Sequence, residues 1–159
     1  MCRLLVIFEY SEPGRVPDVA AAVAASAERD GAEVRLRDLE ATVWREISWA
    51  DGLAFGIDGG GANLPDEAGR WLDTLGCNGW IHLSDKAGCV FAIRGDANES
   101  GGASRAVARI LRARGMETVT ATELGVSEPP HDDGGTAIGQ SFVQWCLRLE
   151  AAQPQPPGE

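Results

Sequence analysis

Apolar and polar positions along the chain fall into short blocks that alternate in period. Arg3 to Glu9 (RLLVIFE) is almost continuously apolar, the pattern of a strand covered on both faces. After the turn YSEPGR, Pro17 suits a first helical position, where its missing N–H costs little. The alanine-rich run to Asp30 then favours a helix burying Val16, Val19 and Val23, with Gly31 as its terminating residue. AEVRLRDL alternates apolar and charged residues, as expected of a strand wet on one side and near a sheet edge. EATVWREISWAD is too short and mixed to predict a full crossover helix.

DGLAFG, from Asp51 to Gly56, predicts a third strand that runs into the glycine-rich loop IDGGGANLP. A helix is expected from about Asp66 to Leu75, then a loop holding Trp80. AGCVFAI, from Ala87 to Ile93, is a fourth buried strand, followed by the loop RGDANESGG. Ala103 to Arg114 reads as an amphipathic helix with Val107, Ile110 and Leu111 inward and Gly115 at its end. METVTATELG, rich in β-formers, predicts a fifth strand. Beyond VSEPPHDDGG, a last helix from Thr136 to about Ala151 would bury Ile138, Phe142, Trp145 and Leu149.

Strands alternating with helices pair in parallel through right-handed crossovers. The expected fold class is therefore α/β: a three-layer α/β/α sandwich on a five-stranded parallel sheet of order 2-1-3-4-5. Residues 1–151 form one domain on this reading, and the polar, proline-rich tail 152–159 is expected to be disordered.

Composition narrows the function classes. A formal net charge of −10 argues against partners such as nucleic acid or an anionic membrane. It leaves room for a phosphate-bearing cofactor, which backbone amides and helix dipoles can hold without lysines. No apolar run has the length of a membrane span, and MCRLLVIFEYSEPG reads as a strand rather than a leader, so a cytoplasmic location is expected. Cys2, Cys77, Cys89 and Cys146 show no metal-ligand spacing, and Cys89 reads as core. His82 and His131 are far apart in sequence, and no metal site is expected.

Several stretches in order resemble the flavodoxin-like family, most closely the tryptophan-repressor-binding-protein type of NAD(P)H:quinone oxidoreductase and the related FMN reductases. SEPGRV stands where that family has a Ser-x-x-Gly phosphate turn, and ISWADGLAFG is similar to its acidic lead-in to strand three. GIDGGGANLPDEAGRWLDTLG resembles its glycine-initiated flavin loop and helix. NGWIHLSDKAGCVFA matches a tryptophan loop and strand, and ARILRARGMETV matches the close of the next helix. The likeness extends to about Val119 and lies mainly in scaffold positions.

The resemblance implies FMN lying across three loops at the strand carboxyl ends. In the first, Ser11, Gly14, Arg15 and Val16 would hold the phosphate, although Glu12 adds an acid and Pro13 removes a donor. The alternative is a plain strand-to-helix turn. In the second, Asp58, Gly59, Gly60, Gly61 and Asn63 would approach the ring, with Ile57 and Asp58 in place of the family's threonine and proline. The alternative is a surface loop. In the third, Gly95 matches a family glycine, and Arg94 would either neutralise a reduced flavin or pair with Asp58 or Asp96. Trp80 matches a tryptophan that shapes the flavin pocket, or else packs in a core or an oligomer contact. His131 is the one candidate proton donor to a reduced quinone, or simply a solvated loop histidine.

The function expected from this reading is an FMN-binding oxidoreductase with NAD(P)H as reductant and a quinone or similar small acceptor, assembled as a homodimer or homotetramer. A second reading is a flavodoxin-like domain that has lost FMN and uses the same crevice for another small ligand. The acidic residues Glu12, Asp58, Asp96, Glu99, Asp132 and Asp133 favour that alternative.

Overall fold

The computed structural model describes residues 2–8, 16–39, 41–42, 44–57, 70–71, 86–92, 102–121, 123–126 and 134–152. Five strands, β1 (Arg3–Phe8), β2 (Glu33–Asp38), β3 (Gly52–Ile57), β4 (Ala87–Ala92) and β5 (Glu117–Thr120), form one parallel sheet of order β2-β1-β3-β4-β5. Around it lie α1 (Val16–Arg29), α2 (Trp44–Trp49), α3 (Gly102–Ala113) and α4 (Gly134–Ala152). Arg70 and Trp71 are helical, inside the helix expected from Asp66 to Leu75. Of the tail expected over 152–159, Ala152 is still helical, and residues 153–159 lie outside the described residues.

Strand alternation sorts the core into two layers. Leu4, Val6, Ala54, Cys89 and Phe91 face α1 and α4, joining Val23, Ala27, Ile138 and Phe142. Leu5, Ile7, Leu53, Phe55 and Val90 face the other way, onto Ile47 of α2 and Val107 and Leu111 of α3. The near-continuous apolar runs of β1, β3 and β4 follow from this double coverage. Cys2, Cys89 and Cys146 are buried thiols.

The helices on the first face approach closely because α4 presents glycine to α1. A Cβ on Gly139 would stand 2.6 Å from the Val23 carbonyl oxygen and 2.8 Å from Ser26 Cβ. Between them, Ser26 Oγ donates to the Thr136 carbonyl at 2.7 Å. The buried Lys86, just before β4, donates from Nζ to the Ala50 carbonyl at 2.6 Å and to Ser48 O at 3.3 Å. It thus satisfies carbonyls at the C-terminal end of α2, which the helix itself leaves open.

Three details differ from the sequence reading. EATVWREISWAD does contain a helix, α2, but of only six residues. Helix α1 begins at Val16, so Pro17 is its second residue, still among the positions whose N–H has no helical acceptor. The fifth strand stops at Thr120 and does not run through METVTATELG. Glu123 folds back there to accept from Thr120 N and Oγ1, and Gly125 turns the chain at φ 89°.

Candidate functional site

In a sheet of this order the chain leaves β1 in opposite directions, and the crevice between the carboxyl ends of β1 and β3 is the natural ligand position. Phe8, half-buried, closes β1 there, Ile57 closes β3, and Ala92 closes β4. Gly56 lets the Phe91 ring lie across β3, since a Cβ at that position would stand 2.7 Å from Phe91 Cζ. The floor of the crevice is therefore apolar and tightly filled.

Among the described residues, the polar character of this edge comes from helix ends. Each of α1, α3 and α4 follows a strand that ends at the carboxyl edge, so each directs its N-terminal N–H groups toward it. These helices have 14, 12 and 19 residues, long enough for the end effect to be fully developed. Helices α3 and α4 carry no acid in their first turns, whereas α1 carries Asp18, and Pro17 subtracts one donor from α1. The partial positive charge at these helix ends, and the first-turn N–H groups that have no acceptor within the helix itself, suit an anionic group, and in this respect the frame fits a nucleotide phosphate.

The candidate residues stand as follows. Val16 opens α1. Ser11, Gly14, Arg15, Asp58, Gly59, Gly60, Gly61, Asn63, Trp80, Arg94, Gly95 and His131 lie outside the described residues. Their anchors are nevertheless defined by the topology. Residues 9–15 join Phe8 to Val16, Asp58 follows Ile57, Arg94 comes two residues after Ala92, and His131 lies between Val126 and Gly134. All four connections depart from the carboxyl edge. Trp80 differs, because its segment leads into Lys86 at the opposite, amino edge, so the topology does not by itself bring it to the crevice.

One contributor was not foreseen from the sequence. Trp71 donates from Nε1 to the Leu39 carbonyl at 3.0 Å and meets the Phe55 ring edge-on, with centroids 5.1 Å apart. It ties the segment after β3 to the chain just beyond β2. Its tryptophan in a helical register was the available signal, but its partner is 32 residues away. Among the described residues, no cluster of histidine, cysteine or carboxylate side chains could hold a metal ion, and no helix is long and apolar enough to cross a membrane.

No protein-family model and no curated protein sequence matches the chain. Solved structures do. A flavodoxin from the Archaea superposes with a TM-score of 0.68 at 16% identity, over 92% of this chain and 99% of that one. The fold is flavodoxin-like. A Streptococcus pneumoniae TIGR4 flavodoxin gives 0.66 at 18% identity, over 94% and 98% of the two chains. A flavone reductase gives 0.59 at 17% identity, over 96% of this chain and 66% of its own. Identities this low speak for the flavodoxin-like scaffold, and the chemistry of the crevice rests on this chain's own residues.

Proposed function

We propose that this chain is an FMN-binding redox protein, an oxidoreductase that takes reducing equivalents from NAD(P)H and delivers them to a quinone or similar small acceptor. The observation that carries the reading is the β1/β3 crevice, into which α1 directs its amide end immediately beyond the SEPGR turn. The flavodoxin and flavone reductase likenesses support flavin as the class of ligand.

Within this reading, Ser11, Gly14, Arg15 and the Val16 amide would hold the phosphate, which requires Glu12 to turn to solvent. Asp58 to Gly61 and Asn63 would line the ring by backbone approach and Arg94 and Gly95 would close the third side; Trp80 would wall the pocket only if its segment reaches across from the amino edge. When bound, FMN would supply the hydride and electron chemistry. The chain's own part is to orient the ring, exclude water and, at His131, supply a proton to the reduced acceptor. A soluble, cytoplasmic setting suits such an activity.

The acid and the proline in the phosphate turn favour one competing reading, a crevice that has given up FMN for another small ligand. The visible absorption spectrum separates the two. The purified protein is recorded before and after addition of excess FMN and desalting. A retained band with shifted maxima supports the flavin reading and leads to NAD(P)H–quinone assays. A colourless protein from which FMN washes away overturns it.

A further inference from the structure

Charge is unevenly placed in this acidic chain. The stretch 100–116 holds four arginines and no acid, while all 24 aspartates and glutamates lie outside it and the whole chain carries −10. Most of that stretch is α3. Its buried side is made by Ser104, Val107, Ala108 and Leu111, and the helix packs on β4 and β5. Arg105, Arg109 and Arg112, spaced i, i+4 and i+7, share the exposed side.

The fold itself uses part of this strip. Arg112 Nε donates to Thr118 O at 2.9 Å, Thr120 N donates to Glu123 Oε1 at 3.1 Å, and Arg112 Nη2 closes the clip on Glu123 at 2.9 Å. The Arg112 side chain nevertheless stays 44% exposed. Among the described residues, no hydrogen bond or ion pair reaches Arg112 Nη1 or any nitrogen of Arg109. The helix gains nothing from the arrangement by itself. Like charges three and four residues apart destabilise a helix, and Arg105 stands about one turn from the N-terminal end, where a cation is disfavoured.

We propose that this arginine strip docks an acidic segment of a partner protein, whatever fills the crevice at the carboxyl edge. Seven residues of helix give the strip a length of about 10 Å, enough for two or three carboxylates. Planar guanidinium forks suit carboxylates well. Two other polyanions fit less well. A membrane surface would need apolar side chains to insert beside the cations. Among the described residues the one exposed large hydrophobic is Leu147, on α4 in the opposite layer. A nucleic acid would carry a continuous phosphate backbone past the strip and into the field of the surrounding carboxylates, and α3 has no aromatic side chain for a base to stack on. A short acidic segment gains the local attraction and ends before it meets much of that field.

The test is fluorescence anisotropy of a labelled deca-glutamate peptide titrated with the full chain. At about 0.1 M salt a Debye length of about 10 Å screens the carboxylates on far faces and leaves contact pairs. Deca-thymidylate and vesicles of phosphatidylserine in phosphatidylcholine are titrated beside it. The peptide should bind, and bind more weakly as salt rises. Arg109→Glu should weaken it by roughly tenfold or more, since it replaces an attraction by a repulsion at the middle of the strip. Arg109→Lys should keep most of the binding. Arg148→Glu, the same charge change at an exposed position of α4, should leave it within about twofold of wild type. Arg109 is exposed, so circular dichroism should show both of its variants folded like wild type. Peptide that does not bind, equal losses in R109E and R148E, or tighter binding of the thymidylate or the vesicles overturns the proposal.

Discussion

Replacing Gly139 by alanine sets two effects of opposite sign against each other. Helix propensity alone favours alanine by about 1 kcal/mol at an interior helical position. Packing opposes it. The added methyl would stand 2.6 Å from Val23 O, 2.8 Å from Ser26 Cβ and 3.0 Å from Ser26 Oγ. Comfortable carbon contacts lie at about 3.5–4.0 Å, so α4 and α1 must separate by most of an ångström. The Val23 carbonyl is backbone, and no rotamer change relieves it. Moving α1 also lifts Ala20, Val23 and Ala27, all buried against the sheet. Overpacking of this kind costs about 1–3 kcal/mol.

Because the closest atom is backbone, the upper part of that range applies, about 2–3 kcal/mol, and subtracting the propensity gain leaves a net loss of about 1–2 kcal/mol, or a fall in Tm of roughly 2–8 °C for a domain of this size. Urea unfolding followed by circular dichroism should show a lower midpoint at unchanged m-value. Ser26→Ala supplies the partner of a double-mutant cycle. Alone it forfeits the bond to Thr136 O, about 1 kcal/mol. On the Gly139→Ala background it should cost less, because it also removes the Oγ that crowds the new methyl. A G139A protein as stable as wild type, or more stable, would refute the argument, since propensity would then have outweighed packing.

Other expectations follow from single contacts. Glu123 is held below the ordinary glutamate range, chiefly by the Thr120 N–H and with help from Arg112, against an opposing effect of burial. Its contribution is thus fully present above that range and is lost as pH falls through the depressed folded-state value. Glu123→Gln should flatten the acid limb of a stability–pH curve measured by urea melts at neutral and acid pH, and an unchanged limb would count against the clip. Lys86→Met should destabilise by about 1–3 kcal/mol in the same melts, because it leaves the Ala50 and Ser48 carbonyls without their donor. In the phosphate turn, Glu12→Thr should tighten FMN binding and Arg15→Ala should weaken it, each by roughly three- to tenfold in a fluorescence titration.

The sheet was legible because β1, β3 and β4 are buried on both faces and therefore apolar without interruption, and because Gly31 and Gly115 mark helix ends. Local pattern failed where a distant or polar partner decides the outcome. The end of β5 is set by Glu123 reaching back to Thr120, which β-propensity over METVTATELG cannot register. Helix α2 is held by Ile47 in the core and by Lys86, 36 residues from Ala50, rather than by its own periodicity. The crevice was legible only as an address. Parallel topology brings four connections to one edge, but a sequence pattern of burial identifies core positions only, and periodicity says nothing of residues in such connections.

If FMN binds as proposed, that address bears on how so acidic a chain would hold an anion. The connections contain Glu12, Asp58, Asp96, Glu99, Asp132 and Asp133 against Arg15, Arg94 and Arg105 near the start of α3. A phosphate held there would depend chiefly on the N–H groups at the α1 end, with Arg15 a lesser contributor; amide contacts are short-range and directional, whereas carboxylate repulsion through water is longer-range. Salt screens the second interaction far more than the first, with a Debye length of about 8 Å at physiological ionic strength. FMN affinity should therefore hold steady or rise modestly between low and physiological salt, and the ratio of FMN to riboflavin affinity should rise with it. A basic-patch site would behave in the opposite sense, losing phosphate affinity as salt increases. Titrating both flavins across that range distinguishes the two. A ratio that falls steeply with salt would mean that Arg15 and Arg94, rather than the helix end, carry the phosphate.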